Sequence, residues 1–187
     1  MAWLSPAMFD DDDAEMDLLG DLLANGKTSR LYRTLVYERR LALDVSAFQR
    51  SQELAGSFFL VATAAPGASL ASITEQIDAE LQRVIETGPS PSEMERGRAQ
   101  VEAHFMYRLQ TVGGFGGKSD QLNAYNVLRG DPGFFPTDLG RYREATAASV
   151  QDAAARVLAF DRRVILSVVP TGQSELALAG SKPVSVS

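Results

Sequence analysis

The sequence contains no cysteine and a single histidine, His104. The first absence excludes disulfide scaffolds, thiolate zinc sites, iron–sulfur ligation and thiol nucleophiles. The second excludes any zinc site drawing two imidazoles from this chain, and it obliges any Ser-His-Asp triad to use His104. A cysteine-free chain suits cytoplasm and periplasm alike. Cations are short as well: 18 Lys and Arg stand against 24 Asp and Glu, a net charge of −6. Nucleic-acid binding is disfavoured, because no basic surplus exists to displace phosphate counterions. No apolar run approaches the ~18–20 residues of a membrane-spanning helix. The opening MAWLSPAMFDDDD has neither the basic start nor the long apolar stretch of a signal peptide.

What is present is a globular mixture: 187 residues, 45% hydrophobic and 22% charged. A single domain over residues 1–170 is expected, followed by a Gly/Ser/Ala-rich loose tail over 171–187. Residues 1–9, interrupted by Pro6, read as the stub of an edge strand. The acidic run Asp10 to Asp13 precedes Leu18, Leu19, Leu22 and Leu23 at helical spacing. Carboxylates at a helix N-terminus gain about 0.3–1 kcal/mol each from the macrodipole, so the run reads as a helix start. It lacks the alternating Asp, the Gly and the distal Glu of a calcium loop. Asn25-Gly26 ends that helix, and a short second helix is expected over 29–39.

Residues 41–50 and 57–64 read as a hairpin. In the first strand Leu41, Leu43, Val45 and Ala47 alternate with Ala42, Asp44 and Ser46; the second, SFFLVATA, has the continuous apolar character of a central strand. Leu70, Ile73, Ile77, Leu81, Val84 and Ile85 share one helical face. Ser90-Pro91-Ser92-Glu93 supplies a capping box with proline at the first helical position. It heads a long helix whose stripe is Met94, Val101, Phe105, Leu109 and Val112. A polar helix over 118–128, a short one over 137–144, a Thr146-capped helix burying Val150, Ala153, Ala154, Val157 and Leu158, and a final strand over 163–169 complete the order. It predicts an α+β fold, a small mostly antiparallel sheet with helices packed on one face.

Chemistry-bearing patterns are few. The stretch GGFGGKS over 113–119 resembles a phosphate loop superficially. The required first glycine, however, falls on Val112, and the stretch follows a helix rather than a strand. It reads as a mobile helix–helix connection, Gly113, Gly114, Phe115, Gly116 and Gly117, with Phe115 as its apolar anchor and backbone amides free to touch an extended peptide. His104 sits at the edge of an apolar stripe and reads as a buried or half-buried structural residue. Glu93, Glu95 and Glu102 interleave with Arg96 and Arg98 as a solvated, salt-bridged helix face.

Three pieces carry a resemblance: Gly26-Lys-Thr-Ser-Arg-Leu-Tyr-Arg-Thr-Leu35 followed by Glu38-Arg39-Arg40-Leu41-Ala42; Gly88-Pro-Ser-Pro-Ser-Glu-Met-Glu-Arg96 heading a long helix; and a closing helix and strand ending Val168-Val169-Pro170. Together, over about residues 3–170, they resemble the pitrilysin/insulinase-type zinc metallopeptidases, which include the mitochondrial processing peptidase family. In that family two homologous halves close like a clam-shell, and each half is a pair of α+β domains. An inverted His-x-x-Glu-His motif in the first half holds zinc. This chain has no such motif and resembles the first domain of the non-zinc half.

The resemblance implies a non-catalytic chain with no metal site of its own, the zinc residing in a partner half. It implies peptide bound as an added strand, with the hairpin over 41–64 and the N-terminal stub as the expected surfaces. Active relatives offer substrate an Arg and, seven residues on, a Tyr. The matching positions here are Val36 and Leu43, so that pair is missing and a purely structural or assembly role is the alternative. The short N-terminal strand suggests a fragment or a separately encoded piece of a larger protease. Its unpaired edge invites a partner or a second copy of the chain.

Overall fold

The computed structural model describes residues 1–184. In chain order it runs β1 (Ala2–Ser5), α1 (Asp13–Ala24), a π-helical segment (Tyr32–Glu38), β2 (Ala42–Arg50), β3 (Gly56–Ala64), α2 (Leu70–Thr87), α3 (Pro91–Arg108), α4 (Lys118–Arg129), α5 (Phe135–Glu144), α6 (Ala147–Val157), β4 (Arg163–Val164) and a single 3-10 turn (Ser174–Leu176). The strands form one antiparallel sheet in the order β2-β3-β1-β4. The architecture is the expected α+β one.

One sheet face is buried under α1, α2 and α6. Trp3 and Phe58, opposite each other on β1 and β3, turn into this core, and the Trp3 indole Nε1 donates to the Ala159 carbonyl at 3.1 Å. Leu18, Leu19, Leu22 and Leu23 of α1 and Ile73, Ile77, Leu81 and Val84 of α2 are buried as their spacing requires, with Val150, Ala153, Ala154 and Leu158 from the C-terminal helix and its end. The opposite face is open. Leu4, Phe48, Val61 and Val164 stand exposed on four adjacent strands, and Phe48 stacks on Phe59 with ring centroids 5.4 Å apart.

Three strand expectations are corrected. β1 is not an edge stub: it pairs with β3 on one side and β4 on the other, and the edges are β2 and β4. The last strand is two residues, not seven, because its register sets Val164 opposite Ala2 and residues 165–169 extend past the paired end of β1. In β2 the register shifts between Ala42 and Asp44. One extra residue reverses the alternation there, so Ala42 is buried while Leu43 is 61% exposed, not in line with Val45.

The helical segment after Gly26 is wound more loosely than an α-helix, with the Arg39 amide donating to the Thr34 carbonyl at 3.0 Å, five residues back. The α3 stripe ends early: Met94, Val101 and Phe105 are buried, Leu109 caps the helix and Val112 is exposed.

The charged pattern of α3 is also not a self-contained solvated face. Glu93 closes the capping box on Ser90 and accepts two hydrogen bonds from Arg30, at 2.6 and 2.7 Å. Glu102 pairs with Arg143 of α5 at 2.6 Å, and Arg98 donates to the Ala145 carbonyl. These carboxylates and guanidiniums tie α3 to other elements. Residues 171–184 are mostly exposed around the Ser174–Leu176 turn; the last three residues of the expected tail, 185–187, lie outside the described residues.

Candidate functional site

The principal cavity is a cleft of about 870 Å³ between α1, α3, α4, α5 and the second half of β2. Its floor is built by a period in α1. Asp13, Asp17, Asp21 and Asn25 recur every four residues and all line the cleft. That spacing holds side chains on one helical face, and the apolar face beside it, carrying Leu18, Leu19 and Leu22, anchors the helix to the core.

At one end Asp13 is buried in a dense network. Its carboxylate accepts from the Phe9 amide at 2.8 Å, from Gln49 Nε2 at 2.6 Å, from the Ser51 hydroxyl and from Arg141 Nη1 at 3.2 Å. Arg141 also donates to Asp138 Oδ1 through Nη2 at 2.7 Å. The Tyr125 hydroxyl donates to Asp138 Oδ2 at 2.7 Å and accepts from Gln121 Nε2 at 2.8 Å. Loss of hydration, and then the hydrogen bond to the Asp138 carboxylate, raise the Tyr125 phenol above its ordinary range.

Asp17 differs. It accepts from the Tyr142 hydroxyl at 2.7 Å, and no ion pair reaches it among the described residues. Burial pushes its carboxyl from 3.8 up to about 7, with the Tyr142 hydrogen bond opposing and the neighbouring Asp13 charge assisting. Asp21, bonded to Asn25 at 2.9 Å, is raised for the same first reason. The arrangement is therefore rich in hydrogen-bond acceptors; Arg141 is committed to Asp13 and Asp138, and Arg50, Arg108 and His104 also line the cleft. Among the described residues no group of three or more His, Cys, Asp or Glu side chains is placed to hold a metal ion.

His104 corrects its expectation. It is exposed, not buried, and lines this cleft from α3. The helix turns Val101 and Phe105 inward, which leaves position 104 facing the cleft. Residues 113–117 lie between α3 and α4; Gly113 to Phe115 are exposed, Gly116 is half-buried and Gly117 buried, with Gly114 and Gly116 at φ +84° and +76°. Phe115 is fully exposed and anchors nothing. The turn is held instead by polar bonds: the Gly116 amide donates to Asp120 at 2.9 Å, the Lys118 amide to the Thr111 carbonyl at 2.9 Å and Arg108 Nε to the Gly116 carbonyl at 3.0 Å. None of this is phosphate-loop geometry.

Val36 and Leu43 are not brought to the cleft. Val36 lies on the π-helical segment, half-buried against the core, and Leu43 is the outward residue at the β2 bulge. The Val36 position, next to the exposed Tyr37, lets a long side chain lay its stem on apolar surface and reach water. Val36→Arg should accordingly shift the melting temperature by only a few degrees, equivalent to about 1 kcal/mol. A collapse of more than roughly 10 °C in a thermal melt would show that position 36 is core and not a site opened toward substrate.

Sequence reasoning missed Asp17, Asp21, Gln121 and Tyr142. The α1 part was readable as a four-residue period of Asp. The residues facing it come from α4 and α5, about a hundred positions away, where no local pattern points to them.

Comparisons with known proteins agree with the α+β fold. A model of the peptidase M16 inactive domain matches residues 1–101. Among solved structures, the inactive peptidase domain of a protein described as a zinc protease from Bordetella parapertussis superposes with a TM-score of 0.75 at 25% identity, covering 91% of each chain. A chain described as a zinc protease from Bordetella pertussis Tohama I gives a TM-score of 0.70 at 26% identity, over 87% of this chain and 89% of that one. A protease from Helicobacter pylori gives 0.75 at 20% identity, where the likeness is one of fold, and this chain spans 38% of its length. No curated protein matches the sequence.

Proposed function

Because the chain belongs to the peptidase M16 inactive-domain family, we propose that it works as a non-catalytic domain, helping to enclose and bind unfolded peptide for a zinc-bearing half. The zinc and the hydrolytic chemistry belong to that other half. The observation that carries this reading is the open side of the sheet: an exposed apolar face bearing Leu4, Phe48, Val61 and Val164, bordered by β2 as a free edge. A free antiparallel edge offers unpaired backbone donors and acceptors, which accept an extended peptide with little regard to its sequence, while the apolar face receives alternate side chains. β1 is enclosed on both sides, so the edge role falls to the hairpin. The glycine connection over 113–117 is proposed to adjust to bound peptide.

Fluorescence anisotropy of a labelled, unstructured peptide titrated with the full chain tests this. Phe48→Asp combined with Val61→Asp, both at exposed positions, should weaken binding at least about tenfold with unchanged circular dichroism. Affinity equal to that of the parent chain would overturn the assignment of the sheet side. The apolar residues at Val36 and Leu43 favour a second reading, an assembly role without substrate contact. No peptide binding, together with a stable complex with a zinc-bearing half, would select it.

A further inference from the structure

The cleft holds more acceptors than its own donors satisfy. Gln121 is only 4% exposed, lines the cleft and has no partner for its Oε1. Its orientation is fixed by chemistry. The single proton of the Tyr125 hydroxyl is donated to the Asp138 carboxylate, so that hydroxyl accepts from the amide of Gln121, and Nε2 must face it. The same logic fixes Gln49, whose Nε2 serves the Asp13 carboxylate and whose Oε1 is buried without a partner. Gln100 Oε1, also lining the cleft, is a third such atom. Buried acceptors are normally paired, and three in one cleft point to a donor-rich ligand.

Charge points the same way. The Arg141 guanidinium is committed to Asp13 and Asp138, and Arg108 donates to the Gly116 carbonyl. Asp17 and Asp21, one helical turn apart, make no ion pair among the described residues, and burial holds both carboxyls above their usual range although the nearby charges of Arg141 and His104 oppose it. Each retains an oxygen beyond the ones engaged by Tyr142 and Asn25. A metal ion is poorly served here, since no metal-holding cluster is present among the described residues. An ammonium or guanidinium group is well served, because its several N–H donors match separate amide and carboxylate oxygens. Ala47, Phe48, Gln49 and Arg50 of the edge strand β2, with Ser51 just after it, form one wall, so a peptide lying along that edge passes the opening.

We propose that this cleft binds the cationic head of a lysine or arginine side chain carried by a peptide paired along β2, with Asp17, Asp21 and Gln121 as its acceptors. The proposal rests on the peptide-binding reading above for the source of the cation, though not for the chemistry of the cleft. The test uses the full chain, two peptides identical except for one arginine replaced by its neutral isostere citrulline, and agmatine as a small free cation. The arginine peptide should bind at least about tenfold more tightly than the citrulline peptide. Asp17→Asn with Asp21→Asn should erase that difference, bringing the two peptides to equal affinity. Equal binding of the two peptides to the parent chain, or a preference that survives the double substitution, overturns the proposal. If neither peptide binds, the peptide reading fails on its own and agmatine decides the cleft. Saturable agmatine binding lost in the double variant keeps the cation site and makes a small amine its occupant. Absence of agmatine binding removes the site.

Discussion

Glu93→Ala should lower the folding stability by about 3–5 kcal/mol at neutral pH, a fall in melting temperature of roughly 10 °C for a domain of this size. Two losses combine. The reciprocal half of the capping box disappears, leaving the Ser90 amide at the start of α3 without its carboxylate partner. The larger loss is at Arg30. Its side chain is 13% exposed and engages Glu93 bidentately, and its Nη1 already lacks a partner. Removing the carboxylate strands a nearly buried guanidinium on the Gly88 carbonyl alone.

The pH dependence checks the electrostatic share. The Arg30 hydrogen bond is the main cause that holds the Glu93 carboxyl down, from 4.5 to about 2. A depressed carboxyl stabilises the fold above its unfolded value and ceases to do so as pH falls through its folded one. The gap is worth about 3 kcal/mol at 1.36 kcal/mol per unit. Urea melts of parent and variant should therefore diverge above pH 5 and converge toward pH 2. Glu93→Gln, which keeps a capping side chain, should show the same convergence with a smaller offset. Parallel curves across the range would mean that the loss is one of capping and packing alone.

This pair marks where sequence reading succeeds and stops. The box Ser90-Pro91-Ser92-Glu93 is a local device, complete within four residues, and the helix begins where it predicts. The partner that makes Glu93 structural, Arg30, is 63 residues away, and nothing in either neighbourhood encodes the meeting. The same division holds for the sheet. SFFLVATA is apolar on both sides of its alternation and occupies an interior position as β3, flanked by β2 and β1. Whether Ala2–Ser5 is an edge depends on what lies beyond it, and β4 arrives from the far end of the chain.

Leu43 illustrates a subtler limit. Apolar residues at 41, 43, 45 and 47 make one unbroken alternation on paper, but one residue bulged out beside Ala42 turns Leu43 to solvent. His104 and Phe115 fail in the same direction, both exposed where an inward or anchoring side chain is expected, for related reasons. A lone histidine beside an apolar stripe and a lone phenylalanine among glycines are both assigned by neighbours in sequence, while exposure is decided by neighbours in space.

The cleft supplies the other large effect. Between about pH 4 and 8 the fold should lose up to about 4 kcal/mol of stability, and Asp17→Asn should remove most of that slope. Desolvation raises the Asp17 carboxyl from 3.8 to about 7. A raised carboxyl binds its proton more tightly in the folded chain, so its contribution is fully present below the unfolded value and is lost as pH climbs through 7. Three units at 1.36 kcal/mol each set the upper figure, and water reaching the half-buried carboxylate reduces it. Asp21, raised by the same cause, adds in the same direction. The half-buried N-terminal amine of Met1 is lowered and acts oppositely near pH 8, so the decisive quantity is the difference between variant and parent, from which Met1 cancels. Asparagine at 17 preserves an acceptor for the Tyr142 hydroxyl while carrying no charge to desolvate. The variant should match the parent near pH 4 and exceed it by a few kcal/mol at pH 8. If denaturation midpoints of the two proteins instead run parallel from pH 4 to 8, Asp17 is ionised in the folded chain without penalty. The cleft would then already provide the counter-charge that the cation-binding proposal supplies from outside.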